Sequence, residues 1–243
     1  MNPTVEPPPE VPAIACRGVV KQLGRRKFRT EVLHGLDLDV YAGQMTLLVG
    51  PSGCGKTTLI STIAGILRPD RGSISLFGTE LANLGRRGIT RFRGRNVGLV
   101  LQQLHLFPAL TAAENVALPL LVLRQDPARV RARAASLLEG LGLAGHGDKY
   151  PRELSVGEQQ RVAIARAIAH DPKLIICDEP TAALDATSGR LVMQLLRQVT
   201  VRSDRAVLVV THDHRIFGFA DRIIHMDDGR ITRIDTSSEK EAA

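Results

Sequence analysis

The chain has 243 residues and a formal net charge of +7, with 44% hydrophobic but only 3% aromatic residues and no Trp. That length buries a core in one large domain, or in a domain with a subdomain, and the core must be aliphatic. Three scattered cysteines, Cys16, Cys54 and Cys177, argue against a disulfide framework or a Cys-x-x-Cys metal site, and no run approaches the ~18 apolar residues of a membrane span.

Residues 1–12 hold five prolines and no apolar run, so they read as a loose tail and not as a signal peptide. Ala13–Leu23 and Val32–Val40 read as two strands joined by a basic turn with Arg25, Arg26, Lys27 and Arg29. In the second, Leu36, Leu38 and Val40 alternate with Asp37 and Asp39, the period of a half-buried antiparallel strand. Met45–Val49 is apolar throughout and reads as a buried parallel strand. Thr57–Leu67 has Leu59, Ile60, Ile63 and Leu67 at helical spacing. A turn at residues 68–72 leads to another strand, Ser73–Phe77. The cluster Arg86, Arg87, Arg91, Arg93 and Arg95, with the lone aromatic Phe92, reads as a solvated face. A pI near 9.8 also admits nucleic acid or an anionic leaflet, but one aromatic is thin support for a base-stacking platform.

Val97–Leu101 is a second buried strand, ending at Gln102, and the texture then turns helical as far as Tyr150. Thr111-Ala112-Ala113-Glu114 fits a capping box. Val130, Ala134, Leu137, Leu138 and Leu141 make one apolar helix face. Leu174–Cys177 is an apolar strand that ends in Asp178-Glu179. Thr187–Val201 reads as a helix with Leu191, Leu195, Leu196 and Val199 along one face, and Ala206–Val210 as a strand ending at Thr211-His212-Asp213. Asp221–Asp235 reads as a hairpin around Asp228-Gly229. Alternating strands and helices predict an α/β fold with a mostly parallel sheet. The gap from Lys56 to Asp178 exceeds one βα crossover, which predicts an inserted helical subdomain over roughly 103–170. The expected division is a tail at 1–12, a folded domain at 13–235 and a polar tail at 236–243.

The stretch Gly50-Pro51-Ser52-Gly53-Cys54-Gly55-Lys56-Thr57-Thr58 fits G-x-x-x-x-G-K-[ST] between a strand and a helix. Small residues let successive N–H groups converge on a phosphate at the positive end of the helix. Lys56 is expected to reach the β- and γ-phosphates, and the Thr57 hydroxyl to ligate Mg²⁺. Cys54 reads as a small loop filler. Asp178 would complete the Mg²⁺ shell and Glu179 would polarise an attacking water. Gln102 and His212 fall at the ends of apolar strands, the edge where open α/β sheets bind ligands. Gln102 can reach water and Mg²⁺ there, and His212 the γ-phosphate.

Leu154-Ser155-Val156-Gly157-Glu158-Gln159-Gln160-Arg161-Val162-Ala163-Ile164-Ala165-Arg166-Ala167 resembles the signature segment of ABC transporter ATPases, L-S-G-G-[QE]-x-Q-R-V-x-[IL]-A-R-A. Gln102 then looks like that family's Q-loop glutamine, Ala183-Leu184-Asp185 like its D-loop and His212 like its switch histidine. The resemblance spans roughly Ile14 to Arg233 and implies a P-loop NTPase with an antiparallel β layer beside the main sheet. It implies hydrolysis of ATP with Mg²⁺ in a head-to-tail homodimer, where Ser155, Gly157 and Glu158 serve the opposite subunit's γ-phosphate. The implied partner is an integral-membrane permease, with room for a periplasmic adaptor, and the implied place is the cytoplasmic face of the inner membrane. No nucleic-acid partner is expected, since there is one ATPase core and no long heptad insertion.

Leu101–Pro108, Thr181–Asp185 and Ile223–Gly229 are most similar to the group of DevA-type, macrolide-export and lipoprotein-release ATPases. That similarity implies an exporter of lipid-like or amphipathic cargo. The alternative is an ATPase of the same family that moves a membrane partner to control an envelope enzyme without transport. Two positions depart from the family. Leu23 stands where an aromatic usually stacks on adenine, with Phe28 as a substitute. Val156 replaces a glycine, and if that glycine serves a positive φ, valine there carries strain of order 1–3 kcal/mol.

Overall fold

The computed structural model describes residues 11–24 and 29–236, and the side chains of residues 199 and 200 lie outside it. The basic turn at 25–28 with Phe28, residues 1–10 of the expected tail and 237–243 lie outside the described residues. Two sheets form the frame. The first has β1 (Ile14–Leu23), β2 (Thr30–Val40), β4 (Arg71–Leu76) and β5 (Thr79–Glu80) in the order β2-β1-β4-β5, all antiparallel. The second is six-stranded, ordered β10-β9-β3-β8-β7-β6, from β3 (Met45–Val49), β6 (Val97–Val100), β7 (Leu174–Asp178), β8 (Ala206–Thr211), β9 (Arg222–Asp227) and β10 (Arg230–Thr236). Its pairs are parallel except for the β9–β10 hairpin, whose turn places Asp228 (φ 39) and Gly229 (φ 68) in the left-handed region. That is the twist a two-residue hairpin needs.

The near-continuous apolar strands make sense once both faces of the second sheet are covered. Leu47, Ile175, Cys177, Val207 and Val209 point into one core, shared with α3 (Ala112–Val122), α4 (Pro127–Gly140), α5 (Val156–Ile168) and α6 (Ala186–Thr200). Their neighbours Leu48, Ile176, Leu208 and Val210 enter a second core, shared with the first sheet and α1 (Lys56–Ile63). Each of the central strands β3, β7 and β8 therefore alternates between two oils rather than between oil and water, whereas the edge strand β10 is largely exposed.

Three elements differ from the sequence expectation. α1 stops at Ile63, short of Leu67, because Gly65 (φ 66) turns the chain: its N–H donates to Thr62 O (3.0 Å) and that of Ile66 to Ser61 O (2.9 Å). This pair of bonds is a Schellman closure, for which a left-handed glycine is suited. The arginine cluster forms a helix, α2 (Arg86–Asn96), whose inward edge is only Ile89 and Phe92, too little apolar periodicity to read from sequence. Among the described side chains of α6 the buried apolar ones are Val192, Met193 and Leu196, whereas Leu191 is 44% exposed, so the face is rotated from the expected one. Val199 of that expected face lies outside the described side chains.

Candidate nucleotide site

The strand order decides what meets at the carboxyl edge of the parallel strands. β8 lies between β3 and β7, and the register pairs Val49 with Thr211 and Asp178 with Val210. Three strand ends, carrying the glycine loop, the Asp178-Glu179 pair and His212, therefore stop at one level. They border a cleft of about 670 Å³ lined by Ser52, Gly53, Gly55, Lys56, Thr57, Thr58, Gln102, Asp178, Glu179 and His212, with Leu23 and Val32 on its wall.

The glycines of the loop are needed for different reasons. A Cβ on Gly50 would lie 2.0 Å from the Met226 carbonyl oxygen, so β9 closes against the loop only if residue 50 has no side chain. Gly53 (φ 82) and Gly55 (φ 104) are left-handed, and Gly55 is the N-cap of α1 with no side-chain cap bond. The first-turn N–H groups of α1 are thus left to face the cleft, as in an anion-binding helix start. Lys56 is buried and its ammonium donates to the carbonyls of Gly50 (2.7 Å) and Pro51 (2.8 Å), which fixes the charge over the loop. Cys54 is buried, and its Sγ would stand 3.0 Å from a Cβ on Gly50, so it fills space beneath the loop.

Across the cleft, Thr57 Oγ1 lies 3.5 Å from Asp178 Oδ2. Burial first, and then the neighbouring Glu179 carboxylate, push the Asp178 carboxyl above the ordinary carboxylate range. A hydroxyl and a buried carboxylate short of counter-charge form a hard-oxygen donor set. That chemistry fits Mg²⁺, which takes few protein ligands and completes its shell with phosphate oxygens and water. Glu179 sits at φ 51, a left-handed conformation uncommon for a non-glycine residue, with its N–H bonded to Val210 O (2.9 Å). Its carboxylate Oε1 is 2.7 Å from His212 Nδ1.

Ser155, Gly157, Glu158 and Asp185 are not on the cleft lining. Ser155 caps α5: its Oγ accepts from Glu158 N (3.3 Å), and Glu158 Oε2 accepts from Ser155 N (2.7 Å). The bond from the Ser155 N–H, foremost, holds the Glu158 carboxyl below its usual range. Asp185 caps α6, accepting from the N–H groups of Thr187 and Ser188. A Cβ on Gly157 would touch Leu184 and Ser188 at 3.9 and 4.0 Å, so the starts of α5 and α6 share one surface. The strain expected at Val156 is absent. It is the first residue of α5, is 49% exposed and is not among the residues of positive φ, so a capped helix start accepts valine readily.

Sequence reading missed several positioning groups. Arg166 of α5 donates to the carbonyls of His105 (2.7 Å) and Leu104 (2.6 Å), tying the segment after Gln102 to the helix that Ser155 begins. Fully buried Asn115 bonds the N–H and carbonyl of Phe107 and the carbonyls of Leu110 and Thr111. Asp213 accepts from Thr181 (3.1 Å) and from Arg215, whose guanidinium brings its carboxyl down to about 2. Val32 had no signal beyond that of any strand residue. Arg166 and Asn115 carry polar side chains within largely apolar helices, which was the available clue, while Asp213 stands in the polar run Thr211–Arg215 and has none of that contrast.

A P-loop between strand and helix, facing acids on a second parallel strand, defines a nucleotide-hydrolysing α/β protein. Residues 33–182 match the family model described as ABC transporter. The lipoprotein-releasing system ATP-binding protein LolD of Chromohalobacter salexigens is 39% identical over 219 residues, covering 90% of this chain and 92% of the relative. LolD 2 of Caulobacter vibrioides is 41% identical over 225 residues, 90% of this chain and 96% of that one. Among solved structures, a dimeric post-hydrolysis state of the ATP-binding cassette MJ0796 with ADP and Pi is similar at TM-score 0.84 and 34% identity, over 92% of this chain and 98% of that chain. The chain belongs to the ABC transporter family. It is the family's ATP-binding subunit, and its reaction is ATP hydrolysis.

Proposed function

We propose that two copies of this chain pair head to tail and hydrolyse ATP to drive a separate membrane permease that exports lipid-like or amphipathic cargo. The observation that supports it most is the division of the motifs. Lys56, Thr57, Gln102, Asp178, Glu179 and His212 line one cleft, whereas Ser155, Gly157, Glu158 and Asp185 lie on a surface apart from it. A cleft that lacks its own signature is completed by a second copy, and MJ0796 relatives of this fold are dimeric. The cargo class rests on the LolD relatives, whose names specify lipoprotein release.

In this reading Lys56 and the first-turn N–H groups of α1 hold the phosphates, and Thr57, Gln102 and Asp178 hold Mg²⁺. The ion, when bound, supplies neutralisation of charge on the phosphate oxygens. Glu179 accepts a proton from the attacking water. His212, 2.7 Å from that carboxylate, orients it and reaches toward the departing phosphate. The capped start of α5 offers its N–H groups and positive dipole to the partner's γ-phosphate. Placement against the cytoplasmic face of the membrane then follows from the permease, since no helix among the described residues is long and apolar enough to cross a bilayer. Glu179→Gln tests the assignment, because phosphate contacts that hold the dimer do not need the base. With ATP and Mg²⁺ the variant should elute as a stable dimer on size exclusion and turn over at least ~100-fold more slowly. Undiminished hydrolysis would sink the role of Glu179, and a monomer at saturating ATP would sink the paired site.

A further inference from the structure

The start of α5 holds an acid where the paired site needs an anion to arrive. Glu158 Oε2 accepts from Ser155 N (2.7 Å), which sets a carboxylate against the helix end that the partner's γ-phosphate approaches. Two like charges at close range repel unless a cation offsets one of them. His146, on the loop before the signature, stands where such a cation is needed. Its Nε2 lies 3.2 Å from Glu158 Oε1, and its Nδ1 lies 3.0 Å from the Ala144 carbonyl oxygen. A carboxylate and a carbonyl only accept, so both contacts are bonds only when both ring nitrogens carry hydrogen and the ring is an imidazolium. With Nδ1–H kept on Ala144, a neutral ring would turn its Nε2 lone pair toward the carboxylate. The loop is held in place. The N–H groups of Ala112 and Ala113, at the start of α3, donate to Lys149 O (2.8 Å) and Gly147 O (2.9 Å), and Lys149 N donates to His146 O (3.1 Å). The His146 and Glu158 side chains are 26% and 24% exposed, so salt screens the pair less than one on open surface.

We propose that His146 is a positioning residue of the composite site: as an imidazolium it neutralises Glu158 and holds it on Ser155, and on losing its proton it weakens the pairing of subunits. The inference rests on the head-to-tail reading of the dimer. Histidine is the side chain whose charge changes between about pH 5 and 8, so pairing responds to pH in the physiological range. The other charged groups on the elements that meet here leave this role to His146. Glu114 of α3 and Glu153 are bound by the N–H groups of Thr111 (2.8 Å) and Tyr150 (2.7 Å). Lys149 acts on the Glu158 carboxylate through space. Among the described residues, the ion pair of Glu158 is with His146, and Asp148, Lys149 and Glu139 near the end of α4 form none.

The test is the dimer affinity of the full chain carrying Glu179→Gln, measured by sedimentation with ATP and Mg²⁺ at about pH 6 and about pH 8. With His146 in place the dimer should be roughly 25-fold weaker at the higher pH, about fivefold for each of its two composite sites. Adding His146→Arg, which fixes the charge and keeps the donors, should hold the affinity within about twofold over the same range. Any other group that titrates, His212 included, is present in both proteins. His146→Gln keeps a donor without the charge, and should be weak at both pH values. Where Glu158→Gln has already removed the carboxylate, His146→Gln should cost less than about twofold. ATP binding by the monomer should be equal in the His146 variants, since His146 does not line the cleft, and this shows that they are folded. A pH response that persists in His146→Arg overturns the proposal, as does an equal loss from His146→Gln with and without the Glu158 carboxylate. Monomers at both pH values in every protein, at saturating ATP, sink the paired site and this inference with it. Dimers of equal strength at both pH values sink the inference alone.

Discussion

Asp178 is buried beside a second carboxylate, and its proton affinity is raised by burial and by Glu179. A carboxyl whose folded pKa lies above its unfolded value favours the folded state only while protonated. That contribution is complete below the unfolded value of 3.8 and is lost as pH rises through the raised folded value. Ionised Asp178 is therefore a burden at neutral pH that serves the metal. Asp178→Asn should raise the melting temperature of nucleotide-free protein at pH 7, and the gain should vanish as pH falls below the window. The same variant should lose the extra stabilisation given by Mg²⁺ with ATP. Calorimetry across pH decides it: a lower melting temperature at pH 7 would show that the carboxylate is held by contacts stronger than its desolvation.

At the scale of elements, α5 is placed by its two ends. Its start is fixed by the reciprocal bonds of Ser155 and Glu158, with His146 Nε2 3.2 Å from Glu158 Oε1 as a further clamp. Its far end is pressed onto β6, where a Cβ on Gly98 would stand 2.2 Å from the Ala167 carbonyl oxygen. Gly98→Ala must push α5 off the sheet, and overpacking of this kind costs about 1–3 kcal/mol. Urea unfolding should show that loss, and an unchanged midpoint would mean that α5 slides freely on β6. Val156→Gly, by contrast, removes helix propensity without relieving strain. It should lower stability by up to ~1 kcal/mol and leave basal hydrolysis alone. Faster hydrolysis in that variant would restore the idea of a strained signature. The capping box itself was legible as Ser155-x-x-Glu158, because it is a local pattern. The need for Gly98 was not, because its neighbour comes from a helix far along the chain.

For the whole molecule, the paired site makes a prediction that no single chain can satisfy. Lys56→Ala should lose nucleotide affinity, while Ser155→Ala should bind ATP as a monomer yet fail to turn over. Mixed, the two should form heterodimers with one intact composite site, built from Lys56 of one copy and Ser155 of the other. Activity recovered on mixing, to about a quarter to a half of wild type per dimer, is the expected outcome. Heterodimers that form and remain inactive would argue against head-to-tail pairing.

The sequence by itself determined the local chemistry: a phosphate loop at Gly50–Thr58, acids closing an apolar strand at Asp178-Glu179, and helix caps at Thr111 and Ser155. These are spacings within a few residues, set by backbone geometry that any chain obeys. It also determined the alternation of strands and helices, since apolar runs too short for a membrane must be buried on both faces. Only the tertiary structure decided that β8 lies between β3 and β7, which brings His212 to 2.7 Å from Glu179 across 33 residues of chain. It alone rotated α6 so that Val192 and Met193 are buried and Leu191 is exposed. It alone showed that the first glycine of the loop is required by the Met226 carbonyl, and that Val156 begins a helix without strain. Each of these depends on which distant backbone comes close, and hydrophobic spacing along a sequence carries no record of that.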